Sequence, residues 1–375
     1  MVAGSPDNPI DSAVEASAPQ GGLLMAAGLR ARVRPPRFAA IWLATAILFA
    51  VSPLLASGSV SHGALLSMLP FAAILAIAGI GQTLVIQQRG LDLSVPGMIT
   101  LSTIIVTRVP SGDGGKLLGA IGLVALACVA SGLVSGIAIT WLGVTPLVST
   151  LGVNALLTGV VLQITSGAST SSATPGLSRF ALAKSAGVPN LVWIALAAAV
   201  VTATIFRVSV LGRRFVAVGT SPPAARAAGI RVRGYELGTY VLASLTYGAA
   251  GILVAGYLGT PGIGAGDDYL LPTIAAVVLG GTSLAGGRGS VVATAVGALF
   301  LTQLEQVILG MGAPASVQLV IQGSIIALGM ALRHLPSSGL RGAIDALARF
   351  RPASAAPQTP RRPSGPTEPG SRRDT

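Results

Sequence analysis

Residues 64–88, ALLSMLPFAAILAIAGIGQTLVIQQ, run without a single Asp, Glu, Lys, Arg or His and are closed by Arg89. A helix rises about 1.5 Å per residue, so about 20 apolar residues cross a hydrocarbon layer of roughly 30 Å. This stretch is apolar on every face, which a soluble surface helix is not. Working outward, the same pattern recurs at 38–57, 94–109, 117–142, 145–166, 189–206, 235–258, 269–285, 291–310 and 314–333. The stretches at 94–109 and 269–285 are short and rich in Gly, Pro or Thr. They read as broken or tilted helices, which a membrane protein accommodates only where protein or a polar cavity covers the backbone. The expected fold is therefore all-α: a polytopic transmembrane helical bundle of about ten spans. It occupies 38–335, between a basic N-terminal tail (1–37) and a Pro/Arg-rich C-terminal tail (336–375). Both tails are expected to be disordered and cytoplasmic.

Composition agrees. Of 375 residues, 52% are hydrophobic and 10% charged, against roughly 25% charged in soluble domains. The net charge of +12 does not mark a nucleic-acid binder, because the basic residues sit at the edges and tails of apolar segments. With the N-terminus inside and ten crossings, 20 of the 24 basic residues fall on the cytoplasmic side, leaving Arg108, Lys116, Arg179 and Lys184 outside. That asymmetry orients the protein, with both termini cytoplasmic and the chain multi-pass in the cytoplasmic (inner) membrane. No secretory signal is evident, and Arg30, Arg32, Arg34 and Arg37 precede an uncleaved first helix. The one cysteine, Cys128, excludes an internal disulfide. His62 and His334 lie far apart, so no metal site is expected, and no catalytic residue either. Nucleotide hydrolysis by a P-loop needs a Lys after Gly and before Ser or Thr. Lys116 precedes Leu117 and Lys184 follows Ala183, so the chain is expected to carry no ATP site.

Four stretches carry local signals. In the loop 207–234, Ser221 followed by Pro222 starts a helix, Ala224, Ala225 and Arg226 continue it, and Gly229 offers a left-handed stop. This short basic-flanked helix either docks into a groove on a partner or merely shortens a loop. If it docks, an acidic side chain at Ala225 is expected to break the association. In Gly90-Leu91-Asp92-Leu93-Ser94, Asp92 reads as a cap for the helix that follows, with direct substrate contact as the alternative. The turn 280–290 holds Gly281, Gly286, Gly287 and Arg288, and reads either as a tight turn or as a hinge or partner contact. Gly132 and Gly136, four apart, mark close helix packing.

Polar residues inside spans are default candidates for a solute path, with interhelical hydrogen bonding as the competing role. Thr302 and Glu305 continue a small, polar face from Thr294 and Ala298, with Gln306 beside it. Gln318 and Gln322 form a pair on the last span, as do Asn154 and Thr158, with Thr150, on the fifth. Amides and hydroxyls are what a hydroxyl-rich solute needs in exchange for water.

At these residues the chain resembles the permease subunits of ribose- and other simple-sugar ATP-binding cassette (ABC) importers, within the group that includes branched-chain amino acid permeases. The likeness runs from about 64 to 333. It rests on Gly-Leu-Asp-Leu-Ser at 90–94, Val-Thr-Pro-Leu-Val-Ser-Thr-Leu-Gly at 144–152, Ala224-Ala225-Arg226 with Gly229-Ile230, and the turn 280–290 preceded by Ile-Ala-Ala-Val-Val at 274–278. The family usually carries a second Gly where Arg89 stands, Asn at Ser221, Glu at Pro223, and an Asn pair at Glu305–Gln306. The resemblance implies a coupling helix at 220–230 on a cytoplasmic ATPase that uses ATP and Mg, a second permease copy, and an extracytoplasmic sugar-binding protein. The cargo it implies is a monosaccharide of the ribose or xylose type. A nucleoside, a branched-chain amino acid or another small polar metabolite on the same machinery stays open, as does ion-coupled secondary transport through Glu305.

Overall fold

The computed structural model describes residues 38–168 and 171–334. The two expected tails lie outside them. Thirteen α-helices follow one another among the described residues: α1 (Ala39–Leu55), α2 (His62–Gln87), α3 (Val95–Arg108), α4 (Leu117–Thr140), α5 (Pro146–Thr165), α6 (Pro175–Leu182), α7 (Asn190–Val208), α8 (Val210–Thr220), α9 (Pro222–Ala227), α10 (Val232–Leu258), α11 (Leu270–Leu279), α12 (Val291–Gly310) and α13 (Ala315–His334). A hairpin of two-residue strands, β1 (Lys184–Ser185) and β2 (Val188–Pro189), is the small exception to the all-α expectation.

The protein is a helical, polytopic membrane protein. Six helices, counted among the described residues, have the length and apolarity to cross a bilayer: α2, α4, α5, α7, α10 and α12. Of the other four expected spans, α13 has 20 residues and lies within one residue of the expected 314–333, and the other three are shorter. α1, with 17 residues, and α3, with 14, are shorter apolar helices. α11 stops after 10 residues, well short of the expected 269–285, and the glycines explain why. Gly281 adopts φ +88°, and the N–H of Thr282 reaches back to the carbonyl of Val277, a left-handed helix stop that the apolar run conceals.

α2 is the axis of the bundle. Every residue from Ala72 to Gln87 is buried, with α10, α12, α7 and α11 packed around it. α3 is buried from Val95 to Thr107, which is how a helix too short to span survives in lipid. α4 and α10 form the most extensively packed pair. Gly132 and Gly136 permit it, since a Cβ at Gly132 would stand 2.5 Å from the Cα of Val241. α4, α5 and α7 expose large apolar side chains outward, among them Leu126, Leu156 and Val200.

Candidate functional site

The segment 207–234 is folded more fully than its sequence announces. α8 occupies its first half, an element that local reading leaves as loop. Ser209 opens it, accepting a hydrogen bond from Gly212 N, and buries Phe215 and Val218 while Arg213 and Arg214 face out. Such an eleven-residue helix shows too few turns for its apolar face to stand out.

α9 carries both caps expected of it. Ser221 is extended and its hydroxyl accepts from Ala224 N, with Pro222 at the first position. At the other end Gly229 has φ +77°, its N–H meets the carbonyl of Arg226, and Ile230 N meets that of Ala225. This pair of bonds is a Schellman stop. The facing differs from the docking expectation in one respect. Ala225 is 4% exposed and packs on Val218 and Val232 of the same chain, so it anchors the helix inward. The outward face is Pro223, Ala224, Arg226, Ala227 and Ala228.

The turn 280–290 meets this segment at the end of α2, and the Gly90–Ser94 stretch leads on from there to α3. Gly287 N donates to the carbonyl of Gln87 at 2.8 Å. Cβ atoms at Gly219, Gly286 and Gly287 would overlap Gln87, Arg89 and Thr220 respectively. The glycines therefore serve close approach within the chain. Arg288 is exposed. Gly90 lies against the Tyr240 hydroxyl with no room for a side chain.

Asp92 is buried, and one oxygen accepts from both Ser94 N (2.9 Å) and Ser94 Oγ (2.6 Å). It thus shapes the turn into α3, whose N-cap is Ser94 itself. The helical donor of Gly97 is satisfied from another helix: Asn154 Oδ1 of α5 accepts it at 2.8 Å. Asn154, singled out as a path candidate, is placed as a tertiary cap. Asn154→Ala leaves that N–H unpaired away from water, and a loss of about 1–3 kcal/mol is expected. A fall in the thermal midpoint of the detergent-solubilised protein would register it.

The other intramembrane candidates do not converge on one point. Thr158 is exposed on the outer face of α5. Thr302 Oγ1 bonds back to Ala298 O at 2.8 Å. Gln306 Nε2 donates to Ser59 O at 2.6 Å, tying α12 to the segment after α1. Glu305 stands near the side chain of Gln318 on α13, with Asp268 close enough to act on it electrostatically. Gln322 is buried. Of the seven, only Glu305 and Gln318 are brought together.

A buried polar layer lies at the bundle's axis, and of its members only Thr294 was among the sequence candidates. Tyr247 donates to Gln82 Oε1 at 2.9 Å, and the hydroxyls of Thr83 and Thr294 lie 2.8 Å apart. Their presence inside the apolar runs 64–88, 235–258 and 291–310 was the available signal.

Residues 64–330 match the family described as branched-chain amino acid transport system / permease component. The chain is similar to the ribose import permease protein of Escherichia coli (strain K12), 31% identical over 295 residues that make up 77% of this chain and 91% of that one. It is also 30% identical over 286 residues to the autoinducer 2 import system permease protein of Salmonella typhimurium (strain LT2), covering 74% of this chain and 80% of that one. No solved structure matches it. With the match extending from the start of α2 into α13, the chain belongs to the family of branched-chain amino acid transport system permease components.

Proposed function

We propose that this chain is the permease subunit of an ABC importer that carries a monosaccharide of the ribose type across the cytoplasmic membrane. A separate cytoplasmic ATPase would drive it through α9, and an extracytoplasmic sugar-binding protein would deliver the cargo. A second permease copy completes the pathway. This chain needs no cofactor of its own; ATP and Mg belong to the partner. The observation that carries the reading is α9 itself, a helix capped at both ends that turns small side chains outward between Arg213, Arg214, Arg231 and Arg233. The likeness to the ribose permease supports the cargo class, and the distribution of Arg supports a cytoplasmic position for α9.

Co-expressing the chain with the ATPase and binding protein and following labelled ribose, xylose and autoinducer 2 tests the assignment. Uptake of ribose or xylose that needs all three components is the expected result. Uptake of neither pentose, with robust import of autoinducer 2, would reassign the cargo.

Glu305 is the acidic group through which the path would be felt. Glu305→Gln keeps the side-chain size and a partner for Gln318 but removes the charge. Sugar uptake is expected to fall about fivefold at unchanged expression, the scale of one charge-assisted hydrogen bond to a polar solute. Unchanged uptake would leave Glu305 as a packing residue joining α12 to α13.

A further inference from the structure

We infer that Arg89 is the positioning residue that makes α8, α9 and α2 move as one body, so that displacement at the outward face of α9 is delivered to the bundle axis. The inference rests on the importer reading above. Arg89 stands just past the Gln88 cap that ends α2, and its guanidinium closes on the end of α8. Nε donates to the carbonyl of Gly219 at 3.0 Å, and Nη2 donates to that of Thr220. These are carbonyls of the last helical turn, which have no partner within α8, and a cation there also meets the negative end of the helix dipole. One residue later, Ser221 begins α9.

Three further ties hold the same joint. Gln88 Nε2 donates to Phe215 O at 2.9 Å, and Gly287 N donates to Gln87 O. Gly219 and Gly286 sit so close to Gln87 and the Arg89 stem that neither has room for a Cβ. A fork of charge-assisted bonds to backbone carbonyls is short and directional, so it transmits displacement where a loose side-chain contact would slip. The receiving element is α2, buried along most of its length and packed on α10, α12, α7 and α11.

The backbone at Arg89 supplies an independent sign. Its φ is +65°, the left-handed region that glycine enters freely and other residues resist. Arg occupies it while its side chain is engaged at both ends of the fork. This gives a test that separates transmission from folding. Arg89→Gly suits the backbone and removes the fork together with the stem that lies on Gly286. Arg89→Lys keeps a cation and single-donor bonds.

The experiment uses the complete complex of permease, ATPase and sugar-binding protein in proteoliposomes, reading labelled ribose taken up per ATP hydrolysed. Arg89→Gly is expected to assemble with the ATPase and keep the wild-type thermal midpoint, while sugar moved per ATP falls about tenfold, within the range of a lost coupling interaction. Arg89→Lys is expected to recover part of that loss. An unchanged ratio in Arg89→Gly overturns the inference. Loss of ATPase association or of thermal stability in step with uptake also overturns it, because the residue would then be structural only. Should the wild-type complex move the sugar without ATP, the importer reading itself fails, an outcome visible before any variant is made.

Discussion

Ala224→Asp is expected to abolish copurification of the ATPase and to lower uptake about 100-fold, because an unpaired carboxylate forced into an apolar groove costs about 3 kcal/mol or more. The position is chosen so that the permease is not harmed. Ala224 is exposed and stands in the first turn of α9, three residues after the Ser221 cap. A carboxylate there meets the positive end of the helix and favours it. Ala225, one residue on, would give an ambiguous answer: buried on Val218 and Val232, an Asp there would dismantle the elbow from inside. Quantitative pull-down, with the thermal midpoint of the isolated permease as control, reads the effect. Full association in Ala224→Asp would show that the ATPase does not seat on this face.

The second large effect is on stability. A Cβ at Gly132 would lie 2.5 Å from Val241 Cα and 2.7 Å from Val241 N. Backbone of α10 cannot swing aside as a side chain would, so α4 and α10 must separate. Gly132→Ala is expected to destabilise the bundle by about 2–3 kcal/mol, overpacking outweighing the roughly 1 kcal/mol gained in helix propensity. Gly136→Ala meets Leu237 at 3.0–3.1 Å and should cost less. Gly152→Ala, with nothing within 4 Å in this chain, should be neutral or stabilising. Thermal unfolding in detergent orders the three. Equal midpoints for Gly132→Ala and Gly152→Ala would contradict the α4–α10 contact.

How far the sequence foretold this molecule depended on the range of the interaction involved. α12 was bounded as Val291–Gly310 and α9 by both its caps, because apolar length and capping are written in consecutive residues. Gly132 and Gly136 announced close packing by their spacing alone. What needed the third dimension was missed. Ala225 and Ala224 are the same residue type, and only the fold turns one inward and the other out. Asn154 read either as a path residue or as an interhelical hydrogen bonder, and only the fold shows its oxygen accepting from Gly97, 57 positions away in the chain. Arg89 read as one more cytoplasmic charge, and its role emerges only when α2 and α8 meet. The ten-residue α11 escaped because hydropathy continues through Gly280 and Gly281 while the helix does not. Glu305 and Gln318 were paired by neither spacing nor motif; a short connection between α12 and α13 brings them together.

We propose that a partner ATPase drives this membrane protein through α9. Proteoliposomes containing the permease and binding protein, with and without the ATPase and ATP, test it directly by their initial rate of sugar uptake. Accumulation is expected only when ATPase and ATP are both present, and is expected to be lost in Ala224→Asp. Equal rates without the ATPase, collapsing instead when an ionophore dissipates the ion gradient, would contradict it.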